Sequence, residues 1–497
     1  MASRLQTYLR SVFSIDLRSL GIFRIVLGVL LLTDLALRAR FFNFFITDAG
    51  PFPRDAIPYV PALRSLFFIS GDAPVQVLLY AAMVIVALMF TVGFKTRIAT
   101  VLLWFLIAAH HARCPMVLTG EDRLPLQFLI WSIFLPLGAR YSVDSFRNPV
   151  LPEIRQYISL ASAAILLQFI LMYVVTGVTK SGASWSDGSA LWWSLGSDYW
   201  VLPLGRFLRD HYGLTVVMTY IVPWFEWLAG LALLISYKRN LVRTITILLL
   251  FFFQIGLLFS IGLRMFPLMS SVGLILFIPG SWWDRFQRQD VPLSEDSQPA
   301  GESTGGGPGR RLVTISRNVV VGALMILSVF LALQCVATYR TLSFVPAWSG
   351  PGLFAQQIGL KQEWPMYSPD PDSHEYKVKL AGIQEGERVI DILEEPGGPR
   401  WEQVKKVHES YRLRIYLEKL FHKHQKFPDL LAAYLDWVGR EWNAEAGPED
   451  TVDAVRLFYE TRDVRPIERQ PRNMYFIAQQ LFDRDVADAD ETDPDNP

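Results

Sequence analysis

Long apolar runs fill the first two thirds of the chain, and polar residues are gathered in the stretches between them. Crossing a bilayer takes about 20 mostly apolar residues, because each backbone amide must be hydrogen-bonded within the segment. The fourth and eighth runs are short, which is typical of re-entrant or tilted pieces. The pattern predicts a membrane all-α fold, a polytopic bundle of about nine transmembrane helices near Leu20–Leu37, Val75–Phe94, Ile98–Ala112, Leu124–Ala139, Ile158–Val178, Leu214–Ile235, Leu241–Ile261, Met265–Pro279 and Val319–Thr338.

The pattern changes after the last apolar run. Tyr376–Leu380 alternates as a strand does, and Arg388–Ile392 is a candidate to pair with it. Ser410–Phe421 and Leu430–Trp442 carry apolar residues at helical spacing, and Val455–Tyr459 returns to the strand pattern. These elements predict a small C-terminal soluble α+β domain.

Composition supports this division of the chain. Hydrophobic residues make up 51% and charged residues 19%, below the roughly 25% charged residues of soluble proteins. The net charge of zero conceals a basic excess in residues 1–340 and an equal acidic excess in residues 341–497. A single soluble globule and a nucleic-acid-binding protein are therefore excluded, and the expected partner is the lipid bilayer. Cys114 and Cys335 lie beside apolar runs without metal-ligand spacing, so we interpret both as reduced packing residues.

We expect a membrane domain over residues 1–344, an extracytoplasmic domain over 345–482 and an acidic disordered tail over 483–497. Residues 289–311 are rich in Gly, Pro and Ser, which predicts a disordered cytoplasmic linker inside the membrane domain. The loop charges favour a cytoplasmic N-terminus and an outer C-terminus. The expected location is a bacterial cytoplasmic membrane. In this orientation loops 38–74 and 179–212 face outward. Arg24 lies inside the first segment and is expected to snorkel back to the interface.

Lys180 ends the fifth apolar run. Tyr173 lies about two helical turns before it in the same run, and Trp185 follows shortly after it. A lysine at this place commonly anchors a helix at the interface. Alternatively, an apolar and water-poor pocket disfavours the ammonium and leaves an amine that can accept a proton. Lys180 is thus a candidate catalytic base, with Tyr173 and Trp185 as candidate pocket residues.

Other ionisable residues lie in or beside the apolar runs. Glu226 is in the middle of the sixth run, where an ionisable side chain normally faces the bundle and pairs. His110 ends the third run and is either a helix-packing residue or a ligand residue. Glu121 and Asp122 precede the fourth run, where they are either solvated or orient Lys180 or a substrate. Arg54 ends a Pro- and Gly-rich turn and either binds an anion or caps the loop.

Three strings share their order with a known family: Phe45–Arg54 (FITDAGPFPR), Gly120–Asp122 (GED) and Pro136–Asp144 (PLGARYSVD). Together they resemble the HTTM family, the horizontally transferred transmembrane domain shared with the vitamin K-dependent gamma-carboxylases. Gly177–Lys180 with Trp185 resembles the segment that holds the base lysine of the carboxylase. The similarity covers roughly residues 15–345, and Glu363–Pro369 (EWPMYSP) resembles a segment that follows this domain in bacterial relatives.

The resemblance implies a membrane enzyme in which Lys180 deprotonates a reduced vitamin K-type quinone, with O2 and CO2 as co-substrates and without a metal. The implied chemistry is carboxylase- or epoxidase-like. Thr179 stands where the carboxylase has a second lysine, and Glu121 and Asp122 occupy the region of its assisting histidine. These departures argue against peptide carboxylation in particular, since a fold does not fix a function.

Two other functions stay open from the residues. The chain can be a non-enzymatic membrane anchor or lipid-binding module that displays its C-terminal domain, in which case Lys180 only anchors a helix. It can also provide a proton pathway through Glu226. The sequence contains no Walker loop, HExxH, GxSxG or EF-hand motif, so it gives no support to kinase, zinc-protease or serine-hydrolase functions.

Overall fold

The computed structural model describes residues 2–57, 66–151, 154–235, 239–286, 308–340, 349–364, 366–464 and 473–481. The helices there, numbered in chain order, are α1 (Ala2–Phe13), α2 (Leu17–Ala39), α3 (Phe42–Ile46), α4 (Ala73–Val92), α5 (Thr96–Arg113), α6 (Gly120–Ser132), α7 (Val143–Arg147), α8 (Leu160–Thr179), α9 (Ala183–Asp187), α10 (Ala190–Ser194), α11 (Pro203–Asp210), α12 (Tyr212–Ala232), α13 (Arg239–Ser260), α14 (Phe266–Ile275), α15 (Gly280–Phe286), α16 (Pro308–Tyr339), α17 (Ser349–Ile358), α18 (Pro399–His408), α19 (Tyr411–Lys423) and α20 (Pro428–Asn443). The strands there are β1 (Ile15–Asp16), β2 (Gln156–Tyr157), β3 (His374–Ile383), β4 (Val389–Asp391), β5 (Ala454–Asp463) and β6 (Asn473–Leu481).

Parts of the predicted organisation lie outside the described residues. The domain boundary at residue 344, the acidic tail 483–497 and positions 289–307 of the linker are among them. The last four linker positions, 308–311, belong to the first turn of α16.

Within the described ranges, six helices are long and apolar enough to cross a membrane: α2, α4, α8, α12, α13 and α16. The predicted count of nine is therefore not confirmed. The predicted third, fourth and eighth spans correspond to α5, α6 and α14. The helices α6 and α14 have only 13 and 10 residues, and α5 ends in two histidines and an arginine that lower its hydropathy.

The chain forms two compact units, and the first comprises residues 1–37, 80–109 and 119–373. Its central helix is α8, which packs against α6, α12 and α16. About 72% of the apolar stretch of α8 is buried, against 28–44% in the other five spans. Ser159 and Ser162 cap its N-terminus by reciprocal hydrogen bonds, which satisfies amides that the helix itself leaves unpaired. The apolar stretch of α8 is thus enclosed by other helices of the first unit.

The expectation that Arg24 snorkels to the interface is wrong. Its side chain is fully buried in the first unit, where Nη1 donates to the Leu137 carbonyl at 2.9 Å and Nη2 to the Tyr141 carbonyl. These carbonyls pair both terminal nitrogens of the guanidinium inside the protein, while its Nε is buried without a partner among the described residues.

The second unit comprises residues 38–79, 110–118 and 374–497. Its sheet has the order β4-β3-β5-β6, with all neighbours antiparallel, and α20 packs on β5 and β6. The strands predicted at Tyr376–Leu380 and Arg388–Ile392 are present as parts of β3 and β4, and these two strands pair through Ala381–Ile383 and Val389–Asp391. The strand at Val455–Tyr459 and the two helices α19 and α20 are confirmed as well. The sequence analysis did not predict α18 or β6.

Segments from the N-terminal half pack into this second unit. The Phe52 ring lies 4.5 Å from the Tyr416 ring on α19, and Arg412 of α19 donates to the Val117 carbonyl at 3.2 Å. Loop residues that precede α4 and α6 therefore share a core with the C-terminal helices.

Candidate functional site

A buried ion pair lies where α8 ends. Lys180 is the residue that caps α8, and its Nζ lies 2.6 Å from Oε2 of Glu226 on α12. Only 3% of the lysine side chain and 7% of the glutamate side chain are exposed. Lys180 Nζ also donates to the Thr176 carbonyl at 3.2 Å and lies 5.5 Å from the centre of the Trp185 ring. Three of the predicted site residues, Lys180, Glu226 and Trp185, thus form one cluster.

A close approach between α8 and α12 makes this pair. A Cβ added at Gly177 would lie 2.6 Å from the Pro223 carbonyl oxygen and 2.9 Å from the Trp227 amide nitrogen. Both of those atoms are backbone atoms, so they cannot turn aside. Gly177 therefore lets the helices touch one turn before Lys180, which places Glu226 within hydrogen-bond reach.

A returning segment, residues 366–370, lies against the loop that follows Lys180. Trp185 Nε1 donates to the Tyr367 carbonyl at 2.9 Å, and the Thr179 hydroxyl lies 3.0 Å from the Ser368 hydroxyl. The Asp370 carboxylate accepts from the backbone amide of Ser184 at 2.9 Å and from its hydroxyl. These bonds hold the Trp185 ring, which lies beside the ion pair.

Tyr173 belongs to a neighbouring polar cluster in the bundle. Its hydroxyl lies 3.0 Å from the Ser270 hydroxyl and accepts from Gln254 Nε2 at 2.7 Å. Gln254 is almost fully buried, and its Oε1 is a buried acceptor without a hydrogen-bond partner among the described residues. An acceptor of this kind is unusual in a folded protein, since buried polar atoms are normally paired. The cluster can therefore accept a hydroxyl hydrogen from a bound molecule.

Glu121 and Asp122 are both buried, and their bonds tie local backbone together. Asp122 accepts from the Thr119 amide at 2.7 Å in a capping box at the start of α6. Glu121 accepts from the Met265 amide at 3.0 Å. These bonds give both carboxylates a role in holding helix termini, and their predicted role towards Lys180 stays a prediction.

Arg54 and His110 belong to the second unit. Arg54 donates from Nε to Asp48 at 2.7 Å and from Nη1 to the Phe68 carbonyl at 3.0 Å. The His110 ring packs edge-to-face on Phe67 with 5.4 Å between ring centres. These bonds join Arg54 to two other residues of the loop between α3 and α4, and its predicted role in binding an anion stays a prediction.

The sequence analysis missed a buried amide network in the first unit. Gln168 of α8 donates to the side-chain oxygens of Gln127 and Gln362, at 2.9 Å each. Gln362 donates back to Gln168 at 2.7 Å and accepts from Trp364 Nε1 at 2.9 Å. The signal in the sequence was the string that contains Trp364 and leads into residues 366–370, which had been noted only as a resemblance. This network anchors the stretch before the returning segment deep in the bundle.

The described residues contain no group of His, Cys, Asp and Glu side chains that could hold a metal ion. The arrangement at Lys180 can instead hold a proton, because a cation and a carboxylate at 2.6 Å share one between them. Trp185 and the apolar helices exclude water from the pair.

Comparison with known proteins gives one result of substance. No curated protein and no solved structure matches the chain. A family model of the HTTM domain matches residues 13–282, more than half of the chain, and this range includes α8, α12 and the Lys180–Glu226 pair. The six apolar helices and this match agree on a multi-pass membrane protein, and the chain belongs to the HTTM family.

Proposed function

We propose that this chain is a membrane enzyme whose Lys180–Glu226 pair takes a proton from a lipid-soluble quinol. The observation that carries the proposal is the ion pair itself, with 2.6 Å between Nζ and Oε2 and almost no exposure of either side chain. Ionisable groups buried among membrane helices are costly, and they mark functional sites more often than they stabilise a fold.

The pair can take up a proton in two steps, and the positive charge that it gains lies next to the anion that forms. Lys180 passes a proton to Glu226 across the short contact, which leaves a neutral amine and a carboxylic acid. The amine can then take a proton from a hydroxyl placed beside it, and an ammonium is restored next to the new negative charge. In total one O–H bond breaks, Glu226 gains the proton, and Lys180 stabilises the anion by charge.

The residues around the pair fit a hydroxyl-bearing aromatic molecule. Gln254 Oε1 offers a free acceptor near Tyr173, and the Trp185 ring offers an apolar wall. A reduced vitamin K-type quinone, with O2 and CO2 as co-substrates, would supply the strong base of carboxylase- or epoxidase-like chemistry. The returning segment holds this wall in place through its hydrogen bonds with Ser184 and Trp185.

A second function, that of a non-enzymatic anchor or lipid-binding module, has one observation in its favour. The three hydrogens of the Lys180 ammonium already face Glu226, the Thr176 carbonyl and the Trp185 ring. An ammonium so fully engaged can act as a clamp between α8 and α12. On this alternative the chain displays its C-terminal unit outside the cytoplasm and turns over nothing.

A turnover assay separates the two functions. The full chain in nanodiscs receives reduced phylloquinone, oxygen and bicarbonate, and mass spectrometry follows loss of the quinol and appearance of its oxidised products. Lys180→Arg keeps the positive charge but cannot release its proton, so we expect about a 10²- to 10⁴-fold loss of rate. Glu226→Gln should lose a similar factor, since it removes the group that takes the proton.

Lys406→Ala serves as the matched control, because Lys406 is exposed on α18. Turnover that survives in Lys180→Arg would refute the enzymatic proposal. A wild-type protein that binds the quinol but never converts it would favour the lipid-binding module.

A further inference from the structure

A cavity of about 250 Å³ lies in the second unit, between the turn after β3, the start of α18 and the loop after α20. Its inner wall is a pair of indole rings, Trp401 and Trp442, which meet edge-to-face at 5.1 Å. Trp401 Nε1 donates to the Ile392 carbonyl and Trp442 Nε1 to the Asp450 carbonyl. The wall is therefore fixed from within the unit and does not depend on a ligand for its shape.

Two glycines keep this cavity open. A Cβ at Gly397 would come within 2.4 Å of the Trp401 ring, and a Cβ at Gly398 within 2.6 Å of the Glu445 carboxylate. Any side chain at either position would displace the ring or the carboxylate that lines the space.

Gln384 presents an unpaired acceptor at the cavity. Its side chain is 4% exposed, and its Nε2 donates to the Asp450 carbonyl at 2.8 Å. That bond identifies the nitrogen of the side-chain amide as the atom that faces Asp450, so the atom without a partner is the oxygen. Oε1 has no hydrogen-bond partner in the parts of the chain that are described. Since buried acceptors are normally paired, Oε1 can take a hydrogen bond from a bound donor.

The cavity is also negatively charged. Its lining includes three carboxylates, those of Glu395, Glu445 and Asp450, and one cationic side chain, that of Arg388. The Glu445 carboxylate is engaged by the amides of Arg400 and Trp401, at 3.1 and 2.9 Å. The carboxylates of Glu395 and Asp450 remain available, so the lining favours a positively charged donor.

We propose that this cavity binds a small organic cation, whose ammonium or guanidinium group donates to Gln384 Oε1 and to the carboxylates of Glu395 and Asp450. The indole wall suits the alkyl stem of such a cation. The volume is just below the roughly 300–1,000 Å³ of pockets for drug-sized molecules, which fits one lysine- or arginine-sized group. That group belongs either to a free amine or to a basic side chain of a peptide.

The test is isothermal titration calorimetry on the full chain in nanodiscs with three probes: cadaverine, Nα-acetyl-lysine methylamide, and the same amide acetylated at Nε. We expect the free diamine or the lysine amide to bind, and the Nε-acetylated form to bind at least about tenfold more weakly, because it lacks the charge. Preference for cadaverine identifies a free amine, and preference for the lysine amide identifies a peptide.

Paired variants make the test specific to this cavity. Glu395→Gln with Asp450→Asn should weaken binding about tenfold or more, and so should Gln384→Leu. Glu449→Gln removes an exposed carboxylate on the same loop that does not line the cavity, so it should leave affinity unchanged. The proposal is overturned if no cationic probe binds, if the Nε-acetylated probe binds as well, or if Glu395→Gln with Asp450→Asn keeps wild-type affinity at an unchanged melting temperature.

Discussion

Removal of one member of the Lys180–Glu226 pair should cost far more stability than removal of both. At 2.6 Å the gross attraction is about 6 kcal/mol for an effective dielectric constant near 20. Removal of two charges from water offsets most of that gain, at several kcal/mol per ion. The intact pair therefore adds little net stability, while a single survivor keeps its own desolvation cost without a partner.

The perturbation is a double-mutant cycle of Lys180→Met, Glu226→Leu and the combined variant. We expect each single change to lower the free energy of unfolding by about 3–5 kcal/mol. The combined variant should lie within about 1 kcal/mol of the wild type, because both charges are gone and the side chains that replace them are apolar. The resulting coupling energy is about 5 kcal/mol or more.

The assay is reversible unfolding of the full chain in bicelles by titration with a denaturing detergent. Asp198→Asn is the control, since it breaks a pair of similar length, 2.7 Å to Arg209, whose carboxylate side chain is 56% exposed. Exposed pairs contribute about 0–1 kcal/mol. Single variants at Lys180 and Glu226 that cost under about 1 kcal/mol each, with additive effects, would contradict the reasoning.

Three further predictions follow from the same structure. Gly177→Ala should lower the free energy of unfolding by about 1–3 kcal/mol, because the added Cβ would clash with the Pro223 carbonyl. The same detergent titration measures this loss, and an unchanged midpoint would contradict the close approach of α8 and α12. Asp370→Ala should speed hydrogen exchange at the Ser184 amide, which loses its acceptor, whereas Asp370→Asn should keep most of the protection. Equal exchange in the wild type and both variants would show that the returning segment is held by other contacts. Burial lowers the pKa of His408 from 6.5 to about 4, so between those pH values the unfolded chain binds a proton that the folded chain does not. The free energy of unfolding of the second unit should therefore fall by up to about 3 kcal/mol as the pH falls from 6.5 to 4. Melting curves against pH should show this slope in the wild type and a smaller slope in His408→Gln.

The sequence alone predicts the helices and strands that have a regular pattern of apolar residues within one segment. The six long spans are runs of apolar residues, and α19, α20, β3 and β5 have helical or alternating spacing. The helix α18 was not predicted. Its buried residues Trp401, Val404 and Val407 have helical spacing, but the polar residues between them obscure that pattern. The short runs at α6 and α14 stay unconfirmed as spans, because helices of 13 and 10 residues are shorter than the roughly 20 residues that cross a bilayer.

The site was predictable in its members but not in its contacts. Lys180 and Glu226 each stood out as an ionisable residue in an apolar run, yet they are 46 residues apart in sequence. Their pairing depends on the packing of α8 on α12 at Gly177, which no single segment encodes. The hydrogen bond that the Ser184 amide donates to Asp370 spans 186 positions, so a local pattern could not predict the contact with the returning segment either.

The most direct test of the account is the quinone content of the purified protein. The full chain is reconstituted with reduced phylloquinone or menaquinone, washed, extracted and analysed by mass spectrometry, beside Lys180→Met/Glu226→Leu, the variant expected to keep the fold. The account predicts that the wild type retains the quinone and converts it with oxygen, and that the double variant leaves it unreacted. Equal conversion by both proteins, or no quinone retained by the wild type, would contradict the claim that the Lys180–Glu226 pair is a proton-transfer site for a lipid-soluble quinol.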